Sequence, residues 1–165
     1  MNNATPSNTA TTHNSSLRTM KIDTLNELIA ITRDSAKFYD EAATKVDNKG
    51  LKNLFTNLAA AKNGLVGAMS RDVKLEGATP AQDGTFRGSL HRIYGDVRAK
   101  LGSKDFAFVS ELEASEDRML EALNNVIKDK DVPAPIKTAV TSYLPKVQEQ
   151  HNLMRDRKWA METKH

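Results

Sequence analysis

The chain has 165 residues, of which 39% are hydrophobic, 27% charged and only 5% aromatic, a balance that fits one globular domain and favours helix over sheet. The absence of cysteine excludes disulfides, thiolate metal sites and cysteine nucleophiles. A net charge of +3, from 24 Lys plus Arg against 21 Asp plus Glu, makes a weak field that permits nucleic-acid binding without suggesting it.

No apolar run approaches the ~20 residues that cross a bilayer. No basic start followed by an apolar segment marks a secretion signal, so a cytoplasmic protein without membrane contact is expected. Residues 1–20 are rich in Asn, Thr and Ser and show no apolar period. They are expected to form a disordered polar tail ahead of a single domain over residues 21–162.

The first helix is predicted to open at Thr24, with Glu27 at the capping-box spacing. Ile22, Leu25, Ile29, Thr32, Ala36, Tyr39, Ala43 and Val46 then alternate at three and four residues, the period of a buried helical seam. A second stripe through Leu28, Ile31, Phe38 and Ala42 lies beside it. A helix apolar on two faces must cover both, and the expectation is that a second copy of the chain covers part of this stripe in a homodimer.

Asp47-Asn48-Lys49-Gly50 predicts a tight turn and an antiparallel second helix over residues 49–75. That helix repeats Leu51, Leu54, Leu58, Ala61, Leu65 and Ala68, with Phe55, Val66 and Met69 widening the stripe. Residues 76–85 then break the pattern with two glycines and a proline. A short amphipathic helix is expected at 86–101, with Phe86, Leu90, Ile93 and Val97 on one side and Arg87, Arg92, Arg98 and Lys100 on the other.

Ser103 can cap a third long helix, expected from about residue 104 to 128. Its apolar positions fall at 109, 112, 119, 123 and 126, and the missing member of the series is Glu116. Pro133 and Pro135 suit the start of the last helix, which carries Ile136, Val140, Leu144, Val147, His151, Met154 and Met161 near one face. Pro145 lies inside it and is expected to kink or interrupt it.

Two hairpins joined by one long connection, roughly residues 76–103, predict an all-α fold of the ferritin-like four-helix-bundle kind with a short extra helix in the crossover. The segment Asp34-Ser35-Ala36-Lys37-Phe38-Tyr39-Asp40-Glu41-Ala42-Ala43, followed by Leu51-Lys52-Asn53-Leu54-Phe55, resembles the opening hairpin of an uncharacterised bacterial family within the ferritin-like superfamily. Glu116-Asp117 and His151 extend that resemblance, which spans roughly residues 21–158. The family is a domain of unknown function, so the resemblance implies a fold rather than an activity.

A di-iron centre in this architecture needs a Glu from each of two helices and a Glu-x-x-His from each of the others. Here the second helix holds neither His nor Glu, and Gln148 stands three residues before His151 where a Glu is required. A reduced metal site of Glu116, His151 and Asp40, taking iron, is one alternative. The other reading has Glu116 at a bundle edge or hydrogen-bonded to Tyr39 or His151. With no phosphate loop, nucleophile elbow or catalytic triad spacing in the chain, the expected role is a non-enzymatic, cofactor-free bundle acting as a scaffold or stress-linked binding protein. A third alternative, weak binding of nucleic acid or an anionic surface, rests on the basic face at 87–100, whose polar side lacks the aromatics that base stacking requires.

Overall fold

The computed structural model describes residues 8–85 and 103–164, and every regular element among them is an α-helix. Helix α1 spans Asn8–Lys45, α2 Lys49–Leu75, α3 Lys104–Lys128, α4 Ala134–Thr141 and α5 Leu144–Glu162. The amphipathic helix expected at 86–101 lies outside the described residues. Among those described, no helix is long and apolar enough to cross a membrane.

The turn between α1 and α2 forms where expected. Asn48 caps α2 by accepting from the Leu51 amide at 3.0 Å, satisfying one of the donors a helix start leaves open. The Asp105 carboxylate accepts from the Asp47 and Asn48 amides at 3.0 and 3.2 Å, tying the first turn of α3 to this corner. Ser103 caps α3 through the Phe106 amide. With its start pinned there, α3 runs in the same direction as α2 and antiparallel to α1, against which it packs. Further along, α5 returns against α3 through Lys158–Glu113 and His151–Asp117. Pro145 interrupts the last helical stretch, as its missing donor requires, and α4 and α5 meet at Ser142-Tyr143.

Helix α2 ends in a Schellman turn at Gly77, whose φ of 75° suits glycine; its amide reaches the Lys74 carbonyl and the Ala78 amide the Val73 carbonyl. Residues 76–85 then lie as a strap along α1. Arg18 donates to the Glu76 carbonyl, Asn26 accepts from the Ala81 amide, Arg33 donates to the Ala81 carbonyl and Asp34 accepts from the Thr85 amide. Within the strap Pro80 is buried, and Ala78 and Ala81 pack onto the cluster that contains Leu28 and Ile31.

Two features differ from the sequence reading. Helix α1 begins at Asn8 and runs through residues 8–20, ahead of the expected opening at Thr24, where no cap forms. Leu17 packs on the core, and Arg18 and Lys21 both bond Glu76, so these anchors hold the helix and the polar residues before them extend it at small nucleation cost. The second stripe of α1 is largely covered within the chain: Leu28, Phe38 and Ala42 are buried and Ile31 is half-buried. The residues at 76–85, read as mere pattern breakers, supply part of that cover.

The core divides into two apolar clusters. One gathers Leu25, Leu28, Ile29, Met69, Met119, Leu123, Ile136 and Val147. The other gathers Phe38, Tyr39, Phe55, Leu58, Phe108, Leu112 and Met154. Between the two lies the polar layer that carries the candidate site.

Candidate functional site

Glu116 sits on the buried stripe of α3, in series with Val109, Leu112, Met119 and Leu123, all at 0% exposure. The 3-4 spacing that aims those side chains at the core aims the carboxylate there too. On α2 the buried series runs Leu51, Phe55, Leu58, Lys62, Leu65, Met69 and Val73, so Lys62 is delivered to the same depth. The seam of α2 is thus turned by one residue from the expected Leu54, Ala61 and Ala68, which are only partly buried.

The two charges meet. Lys62 Nζ donates to Glu116 Oε2 at 2.6 Å with both side chains fully buried, and the Tyr39 hydroxyl donates to Oε1 at 2.6 Å. Desolvating two ions costs several kcal/mol each, and good hydrogen-bond geometry is what offsets it. Here each carboxylate oxygen has its own short donor. Burial lowers the Lys62 pKa from its ordinary 10.5, against the opposing pull of the Glu116 charge and hydrogen bond. The Tyr39 phenol is held well above 10.0, first by burial and then by the neighbouring carboxylate.

The three residues read as a metal site do not come together. Glu116 faces Tyr39 and Lys62, whereas Asp40 is exposed on the outer side of α1. His151 lies at the seam between α5 and α3, its Nε2 2.6 Å from Asp117 Oδ1. Among the described residues no group of three or more His, Asp or Glu is placed to hold a metal ion. The donor chemistry also does not fit a resident cation, because the Lys62 ammonium already stands at hydrogen-bond distance from Glu116, the one buried carboxylate among the described residues. Of the readings of Glu116, the hydrogen bond to Tyr39 is the one present. The residue is not at an edge, since its exposure is 0%.

Two functional residues were missed in the sequence. Lys62 was legible as a lone cation inside an apolar seam, the counterpart of the carboxylate noticed on α3. Gln150 is buried between Val147 and Met154, so it takes the core position on α5 that the apolar spacing assigned to His151. Its neighbour Gln148, half-buried, donates to Asn152.

The titration directions of Tyr39 and Lys62 set what the site contributes to stability at alkaline pH. Above pH 10.0 the unfolded chain releases the Tyr39 proton while the folded chain keeps it, so the stability this group contributes is complete below that pH and falls as pH rises beyond it. Lys62 acts oppositely just below 10.5, where the unfolded chain holds the extra proton and stability gains with pH. Tyr39→Phe is expected to flatten the loss of stability above 10 without altering the Lys62 part. Urea midpoints for both proteins from about pH 8 to about pH 11 check this, and parallel curves would refute it.

A family model described as Domain of unknown function (DUF2383) matches residues 20–129. That span takes in most of α1, all of α2 and α3, and so Tyr39, Lys62 and Glu116, but stops before Gln150 and His151. No curated protein and no solved structure matches the chain.

Proposed function

The chain belongs to this DUF2383 family, and from that membership and the chemistry of its interior we propose a non-enzymatic helical protein of the ferritin-like four-helix-bundle kind, closed at its centre by an ion pair and acting through its surface as a scaffold or binding module. The helix directions support the ferritin-like part of this reading. Helices α1 and α5 run one way and α2 and α3 the other, with a long crossover between α2 and α3, the arrangement that one long connection imposes on two hairpins.

One observation carries the functional reading: Lys62 Nζ at 2.6 Å from Glu116 Oε2, both fully buried. A metal or redox bundle places several carboxylates and imidazoles around its central layer and must keep them free to ligate. This layer spends its single carboxylate on an ammonium and a phenol. An ion pair of this kind fixes which helix faces which, because any register that separates the partners strands a buried charge. Its consequence is one defined packing of the helices, which is what a surface that presents binding groups requires.

The test is anaerobic loading with ferrous iron, removal of excess metal and elemental analysis. The expected result is no stoichiometric iron on the wild-type protein. Two firmly held irons per chain, with the absorption of an oxo-bridged pair on exposure to air, would overturn the reading in favour of a redox or storage role.

A further inference from the structure

The polar layer contains more hydrogen-bonding groups than the protein satisfies. His151 touches Asp117 at 2.6 Å and Lys158 reaches Glu113, an antiparallel register that brings Gln150 within about one turn of the level of Glu116. The flanking apolar residues agree, with Val147 in the cluster of Met119 and Met154 in that of Leu112. Gln150 is 2% exposed, and both Nε2 and Oε1 of its carboxamide are buried without a hydrogen-bond partner. Ser35, one turn before Tyr39 on α1 and 3% exposed, has an unpartnered Oγ as well. An ammonium carries three N–H groups, and Glu116 accepts from Lys62 through only one oxygen.

We propose that this layer is an internal hydration site, in which water joins the Gln150 carboxamide to the Lys62–Glu116 pair. Buried polar groups left open by the protein are met by internal water where two to four polar partners converge. Gln150 offers both donor and acceptor, Lys62 donors, and Glu116 further lone pairs, which matches a molecule that is itself donor and acceptor. The charges select the neutral guest. An anion would face the Glu116 carboxylate and a cation the Lys62 ammonium. Apolar residues above and below the layer shut it from bulk solvent, so the water exchanges slowly. This inference rests on the same ion pair as the proposed function, but it is read without metal, so the two can fail separately.

The full-length protein, labelled with nitrogen-15, decides it by water-to-protein cross-relaxation and by deuterium relaxation dispersion. The Gln150 side-chain amide is expected to show cross-peaks to long-lived water, and the dispersion amplitude is expected to fall in Gln150→Leu. Gln150→Met serves if the leucine variant does not fold, and the wild-type cross-peaks stand without either. The inference is overturned by amide contacts to protein protons alone, or by an amplitude unchanged in a folded variant. A signal that follows chloride concentration would likewise overturn it, by making the guest an anion.

Discussion

Lys62→Met is expected to lower the unfolding free energy by about 3–5 kcal/mol, the range for removing one member of a buried ion pair. The loss comes from what stays behind. Met fills much of the volume of the lysine stem, so cavity formation is minor, but Glu116 at 0% exposure then loses its cation and keeps the Tyr39 hydroxyl as its one donor from the protein among the described residues. Against a total stability of about 5–15 kcal/mol, that leaves a marginally folded protein. The matching variant removes every charge at once. Lys62→Met combined with Glu116→Leu and Tyr39→Phe is expected to recover most of the loss, and can exceed wild type by about 1–4 kcal/mol, since apolar replacement of a whole buried pair is neutral to stabilising. Urea unfolding with a common m-value measures both. A loss below about 1 kcal/mol for the single variant would show that solvent or another group compensates Glu116, and the account of the pair would be abandoned.

The second large effect falls on Phe55. Its ring is at 0% exposure in the cluster with Leu58, Phe108 and Met154, and its centroid lies 6.0 Å from that of Tyr39 at an interplanar angle of 57°. Phe55→Ala is expected to cost about 3–5 kcal/mol through lost burial and an unfilled cavity. The aromatic contact contributes about 0.5–1.5 kcal/mol of that. Because Phe55 supports the ring that donates to Glu116, the variant should also weaken the near-ultraviolet circular dichroism of tyrosine while leaving the far-ultraviolet spectrum helical. A loss under about 2 kcal/mol would mean that the cluster collapses around the gap, and the hold of Phe55 on Tyr39 would then be disproved.

Much of the architecture was legible because it depends on local rules. The seam of α1 from Leu25 to Val46, the tight turn at 47–50, the bounds of α2 and α3, the cap at Ser103 and the break at Pro145 follow from helical period, turn and capping chemistry and the missing proline donor. Even the anomaly at Glu116 is visible as a carboxylate in an apolar series. The polar start of α1 was not legible, because Arg18 and Lys21 are held by Glu76, more than fifty residues away.

The sequence by itself determined the helical class, the order of short and long connections, and the fact that a carboxylate enters the core. Period and turn chemistry act over a few residues, so they are written in the chain. Only the tertiary structure decided what that carboxylate meets. The meeting of Glu116 with Lys62 and Tyr39, the burial of Gln150 in place of His151, and the separation of Asp40 from both depend on how far each helix is rotated about its axis. A rotation of one residue, about 100°, moves a side chain from core to solvent. In α2 that turn put Lys62 rather than Ala61 at the centre. Rotation is set by packing against the other helices all at once, and no short window of sequence contains it.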